Sequence, residues 1–140
     1  MIHVNGFRLG VWNTENPARR FKFEYFKSIL EPHGFWDTEE DDYEHISEMI
    51  NTGDVEVWYN DHAIAVLVYD LNLKIWEISI LVSTKKGYGR ILINQLLTIK
   101  DRLVTTPINE KVRNYYKKIG GKDFGRKSII FKRSENDNRN

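Results

Sequence analysis

Two glycines, Gly87 and Gly89, stand one residue apart, with Lys85, Lys86 and Arg90 around them. A residue without a Cβ lets a ligand approach the backbone closely. An apolar run, IWEISILV over 75–82, precedes the pair. Leu92, Ile93, Leu96, Leu97 and Ile99 follow it at a helical period. The stretch is therefore a strand-to-helix loop. N–H groups at the start of such a helix point at the loop's occupant, and the helix dipole favours negative charge there. With three cations beside it, the natural guest is a phosphate or pyrophosphate. The P-loop pattern G-x-x-x-x-G-K-[ST] does not fit, and Leu92 stands where G-x-G-x-x-G needs its third glycine. Taken alone, the G-x-G fits better with glycines that only shape a turn and lysines that are only solvated.

Other residue types narrow the chemistry. The chain has no cysteine. That excludes a disulfide framework, a thiolate nucleophile and a cysteine-ligated metal. His3, His33, His45 and His62 are scattered, with no i, i+4 pair, so no metal site is expected.

The elements that must position the loop can be read from pattern. Residues 2–12 alternate loosely and are expected to form one strand. A helix follows, with Asn16 as N-cap and Pro17 at its first position, stopped by Pro32 and Gly34. A second helix spans about 37–53, with Thr38 and Asp41 resembling a capping box. Residues 55–59 and 63–70 form a hairpin across Asn60-Asp61, and 75–82 is its third strand. The loop then opens a helix over 87–101. A short strand at 103–108, a helix capped by Asn109 and stopped by Gly120 or Gly121, and one or two strands over 123–133 complete the domain. A helix between the strands at 75–82 and 103–108 implies a parallel pair joined by a right-handed crossover. The fold class is α/β (α+β), with a mixed, mostly antiparallel sheet of six or seven strands and about four helices.

The length of 140 residues suits one domain, taken as 1–134, with a polar tail at 135–140. Net charge is +1, so no global field favours nucleic acid or an anionic membrane. No apolar run is long enough to span a bilayer, and no signal-like segment opens the chain. A soluble, cytoplasmic protein is expected. Charge is uneven: 37–48 is acidic, and its first part, 37–42, reads first as a solvated helix start and second as a surface for a cationic acceptor. Lys111, Arg113, Lys117, Lys118, Lys122, Arg126 and Lys127 make a basic stretch. That stretch could meet a phosphate, a protein or, less readily, nucleic acid.

The order of these elements, with the motifs they carry, resembles the GCN5-related N-acetyltransferase (GNAT) family. The family's pyrophosphate loop, [QR]-x-x-G-x-[GA], corresponds to Thr84-Lys85-Lys86-Gly87-Tyr88-Gly89. Its later motif, N-x-x-[small]-x-x-x-Y-x-K-x-G-[FY], corresponds to Asn109, Val112, Tyr116, Lys118 and Gly120. Three positions depart from the pattern. Thr84 stands for Gln or Arg, the approach from Val82 to Gly87 is short, and Gly121 stands for an aromatic.

The resemblance implies acetyl transfer from acetyl-CoA to a primary amine, on a small molecule or on a protein lysine or N-terminus, in a ternary complex. It implies that the parallel pair splays to admit the pantetheine arm. Ile80, Leu81 and Val82 would offer backbone to that arm. Lys85, Lys86, Gly87, Tyr88, Gly89 and Arg90 would hold the pyrophosphate, with Asn109 also on the donor side. Tyr116 would donate to the departing sulfur, and Glu77 would be the base. Without a bulge, Glu77 shares a face with Ser79 and Leu81; a bulge would place it on the other face. Trp36 and Trp58 would line the acceptor cleft. No metal is expected. A homodimer through an exposed C-terminal edge strand is compatible with the pattern. The alternative is a non-catalytic binding or regulatory module on the same fold, for a protein or nucleic-acid partner.

Overall fold

The computed structural model describes residues 2–30 and 42–133. The first departure from expectation comes at once. Residues 2–12 are a hairpin, β1 (Ile2–Val4) and β2 (Phe7–Trp12), not one strand. The turn residues Asn5 and Gly6 both have positive φ, 55° and 83°. A two-residue turn that twists with its strands needs that geometry, and Asn-Gly supplies it at least cost.

Helix α1 (Arg20–Leu30) starts three residues after Pro17, and Asn16 does not cap it. Asn13 organises the approach instead: its Oδ1 accepts from the N–H groups of Glu15 and Asn16 at 3.1 and 2.9 Å. The first intrahelical acceptor is the Arg19 carbonyl. Helix α2 (Asp42–Asn51) follows; the expected Thr38–Asp41 box and the tail at 135–140 lie outside the described residues. The remaining elements fall in the expected order: β3 (Val55–Tyr59), β4 (Ala63–Asp70), β5 (Ile75–Ser83), α3 (Tyr88–Lys100), β6 (Arg102–Thr105), which ends three residues before the expected 108, α4 (Glu110–Lys118), β7 (Lys122–Phe124) and β8 (Ser128–Lys132).

The eight strands form one sheet in the order β1-β2-β3-β4-β5-β6-β8-β7. The split of 2–12 accounts for the extra strand beyond the expected six or seven. Among the described residues, β5 and β6 are the one parallel pair of neighbours. One face of the sheet packs Leu67, Ile78, Leu103 and Phe131 against Leu92, Ile93 and Leu96 of α3 and Tyr116 of α4. The other packs Trp12, Val57, Tyr59 and Val82 against Phe23 and Phe26 of α1 and Ile46 and Ile50 of α2. Each fully buried leucine or isoleucine contributes about 1.5–3 kcal/mol.

One polar side chain sits inside the first of these cores. Gln95 of α3 is fully buried. Its Nε2 donates to the carbonyls of Val4, Phe7 and Arg8 at 3.3, 3.2 and 3.2 Å. Its Oε1 accepts from Asn60 Nδ2 at 3.3 Å. The amide thereby holds the first hairpin and the β3–β4 turn against one helix. Gln95→Met keeps the volume and strands these groups. Urea denaturation is expected to show a loss of roughly 2–3 kcal/mol, the cost of leaving buried polar groups unpaired.

Candidate active site

Pairing between β5 and β6 is short. Only Trp76 with Leu103 and Glu77 with Val104 are in register. Beyond Glu77, β5 continues to pair with β4 as far as Ser83, while β6 stays with β8. The Thr105 hydroxyl ends the parallel pairing by donating to the Ile78 carbonyl at 3.0 Å in a buried position. From Ile78 to Val82, one edge of β5 therefore opens into a gap. Among the described residues, Ile80, Leu81 and Val82 pair with β4 but with no strand on the β6 side.

A β-bulge lies at the same place. Val66 pairs with Ile80 and Leu67 with Ile78, so Ser79 has no partner on β4. The bulge decides where Glu77 points. Glu77 lies opposite Val68, which packs on the α1–α2 side with Ile80 and Val82. Leu81 packs on the α3–α4 side. Glu77 thus shares a face with Ile80 and Val82, not with Leu81. Tyr116 is on the opposite face, in the α3–α4 core.

The glycine loop is held from behind by the β3–β4 turn. Thr84 donates its N–H and its hydroxyl to the His62 carbonyl at 2.8 and 3.2 Å. Asn60 Nδ2 donates to the Tyr88 carbonyl at 3.2 Å. Asn60 Oδ1 accepts from the N–H groups of His62 and Ala63 at 3.0 and 2.8 Å. The Tyr88 ring meets the His62 ring edge-on at 4.5 Å. Gly87 takes φ 90°, the left-handed conformation that glycine adopts without strain. The N–H groups of Lys86, Gly87, Gly89 and Arg90 have no hydrogen-bond partner among the described residues. Lys85, Lys86 and Arg90 are exposed, and none has a carboxylate partner there.

Gly89 needs no unusual φ. A Cβ there would fill a niche between Tyr115 Oη, Ser83 Cβ and Leu81 Cδ2, at 3.6, 3.7 and 3.9 Å. These are ordinary contacts, so the folded chain alone does not demand glycine at this point. The space matters to whatever occupies the niche.

Helix α4 brings up the remaining groups. Asn109 caps it, accepting from the Val112 N–H at 2.9 Å. Its side-chain oxygen is therefore spent on the helix. Tyr116 is buried and packs edge-on against Phe131, ring centres 5.8 Å apart. Burial pushes its phenol above the ordinary tyrosine value, partly offset by the neighbouring Thr105 hydroxyl. It stays protonated at neutral pH and can act as a donor. The Gly121 N–H closes the helix end on the Tyr116 carbonyl at 2.9 Å. A Cβ on Gly121 would overlap Ile129 Cγ2, which explains the missing aromatic.

Other expected residues fall elsewhere. Trp58 does not line the α1–α2 side. It packs in the α3 core, its Nε1 donates to Glu56 at 3.0 Å, and Lys100 Nζ pairs with Glu56 at 2.6 Å. Trp36, His33 and residues 37–41 lie outside the described residues. His45 is exposed on α2. In the basic stretch, Arg113 and Lys117 pair with Asp123 at 2.6 and 3.2 Å, which leaves that surface less positive than the sequence suggests. Asp123 is held below its usual range, first by the hydrogen bond from Lys117. Among the described residues no group of three or more His, Cys, Asp or Glu could hold a metal. No helix there is long and apolar enough to cross a membrane. Sequence reasoning missed Thr105, Ser79, Asn60 and Gln95 as parts of the site or its support. Only Asn60 carried a signal, as a turn residue.

No family model matches the sequence, and no curated protein matches it. Solved structures do. A GNAT-family acetyltransferase from Streptococcus agalactiae superposes with a TM-score of 0.66 at 9% identity, covering 96% of this chain and 100% of that one. A Tyr-to-Phe mutant of the AtaT toxin, bound to the C-terminus of the antitoxin AtaR and acetyl-CoA, gives 0.56 at 10% identity, covering 90% and 92%. A KacTA–DNA complex gives 0.55 at 12% identity, covering 89% and 93%. The chain has the GNAT fold.

Burial also raises the phenol of Tyr59, on the other face of the sheet. For both tyrosines the unfolded chain ionises first, near the ordinary tyrosine value of about 10. Their contribution to stability is intact below that pH and falls as pH rises toward the folded values. Urea denaturation between about pH 9 and 11 should therefore show a steeper loss for the wild type than for Tyr116→Phe.

Proposed function

We propose that the protein is an acetyl-CoA-dependent N-acetyltransferase. The observation that carries this is the gap on β5, opening directly onto the unpaired N–H groups at the start of α3. The gap suits an extended pantetheine arm that pairs with Ile80–Val82. The amides of Lys86, Gly87, Gly89 and Arg90, with the nearby cations, suit a pyrophosphate. The AtaT toxin structure, with which this chain shares its fold, is bound to acetyl-CoA, which favours the same donor here.

The acceptor is a primary amine, reaching the thioester from the α1–α2 side. Its neutral nitrogen attacks the carbonyl carbon, and the carbonyl oxygen takes up negative charge that N–H groups of the bulged β5 segment can stabilise. Collapse breaks the C–S bond. The amine proton leaves to Glu77, directly or through water, and Tyr116 protonates the thiolate. The two carry opposite proton duties from opposite faces of the sheet.

Calorimetry with acetyl-CoA tests the donor. Saturable micromolar binding is expected, and no binding at millimolar ligand would overturn the proposal. The two glycines should separate. Gly87→Ala forces a side chain into positive φ and is expected to lower stability by about 1 kcal/mol. Gly89→Ala lies within the helix and should raise stability by roughly 0.5–1 kcal/mol. It should nevertheless weaken acetyl-CoA, because its methyl group fills the niche. Tyr116→Phe should slow turnover on the order of 100-fold with donor affinity unchanged. An unchanged rate would remove Tyr116 from the mechanism.

A further inference from the structure

Thr105 is the last residue of β6, and its hydroxyl is buried between two groups. One is the Ile78 carbonyl on β5, to which it donates at 3.0 Å. The other is the Tyr116 phenol, its hydrogen-bonding neighbour on the α4 side. The strand register accounts for this placement. Thr105 lies opposite Ile129 of β8, and Ile129 belongs to the α3–α4 core with Tyr116 and Phe131. Thr105 is 3% exposed, so bulk water does not serve the hydroxyl.

A hydroxyl has one proton and two lone pairs. While that proton is committed to Ile78, the Thr105 oxygen can only accept, so the phenol donates to it. The Tyr116 proton then points at β6 and not along the gap. Release of that proton to sulfur reverses the demand. The phenolate left behind accepts and no longer donates, and a buried anion without a donor is expensive. Rotation about the Cβ–Oγ bond of Thr105 redirects its proton from the carbonyl to the phenolate, and no heavy atom moves. The Ile78 carbonyl it leaves lies on the gap side of β5, where water or the bound donor can meet it.

We propose that Thr105 is a positioning residue for proton transfer by Tyr116, holding the phenol at rest and turning from the Ile78 carbonyl to the phenolate when the sulfur takes the proton. This rests on the reading of Tyr116 as the acid. The C–S bond breaks with its electron pair on sulfur, and the Tyr116 proton passes to that thiolate. Solvent returns a proton to the phenolate after CoA leaves. Thr105 changes hydrogen-bond partners and gives up no proton.

The test measures acetyl transfer by wild type, Thr105→Val, Thr105→Ser, Tyr116→Phe and the Thr105→Val, Tyr116→Phe double variant. Thr105→Ala replaces Thr105→Val if the valine form does not fold. The ultraviolet absorbance of tyrosinate against pH, with and without Tyr116→Phe in each Thr105 form, isolates the one phenol. Thr105→Val is expected to lower kcat about ten-fold, the effect of one hydrogen bond to a charged group. KM for acetyl-CoA should not change, and Thr105→Ser should restore most of the rate. In the Tyr116→Phe background, Thr105→Val should cost nothing further. The Tyr116 titration should move to higher pH in Thr105→Val and return in Thr105→Ser. An equal loss in both backgrounds marks the hydroxyl as a support for Ile78 alone and overturns the proposal, as does an unmoved titration. A wild-type rate in Thr105→Val, with Tyr116→Phe still slow, overturns the role of Thr105 and leaves the acid assignment standing. If Tyr116→Phe turns over as fast as wild type, or wild type transfers no acetyl group, both assignments fall.

Discussion

The hydrogen bond from Thr105 to the Ile78 carbonyl is where the sheet stops being continuous. A parallel pair that ran on would satisfy β5 on both sides and leave nothing to bind. Ending it costs backbone pairing, which must be made good by water or a ligand. The hydroxyl satisfies the carbonyl nearest the branch, so the opening starts at a defined residue. The bulge at Ser79 lies one residue further on. Together they fix which β5 groups face the gap and which side chains face each side of the sheet. Glu77 and Tyr116 end on opposite faces for this reason.

The glycine loop is anchored to the rest of the fold through the β3–β4 turn. Asn60 and Gln95 form a neutral amide chain from the first hairpin, through the core, to the Tyr88 carbonyl. Neutral groups serve well here. They hold the start of α3 without adding charge that would compete with an anion at the amides. The cations of the loop stay outside, where solvent screens them.

Much of the order of elements was legible because it follows local periodicity and turn chemistry. The helix after Gly87, the hairpin at Asn60-Asp61 and the Asn109 cap all rest on neighbours in sequence. The misses are of another kind. Asn5-Gly6 was a turn signal inside a run that also alternated, and two three- to six-residue strands look like one longer strand when pairing is invisible. The Asn16 cap gave way to Asn13, a competing side chain three residues earlier. The bulge, the Thr105 contact and the placement of Trp58 in the α3 core are properties of pairing between distant segments. No spacing within 75–83 or 102–105 encodes them. The face on which Glu77 sits could not be read without the bulge, and both faces were open from sequence alone.

Gly121 has a consequence that reaches beyond its own position. The space beside it is taken by Ile129 and Phe131, which reach across from β8. The volume usually supplied by an aromatic on the chain leaving α4 is supplied here from the neighbouring strand. A Cβ at 121 would also stand 2.9 Å from the Tyr116 carbonyl, the group on which the Gly121 N–H closes the helix. Smaller residues at 129 and 131 would free room for a side chain but not for its first carbon, so the backbone at the end of α4 itself reserves this position for glycine.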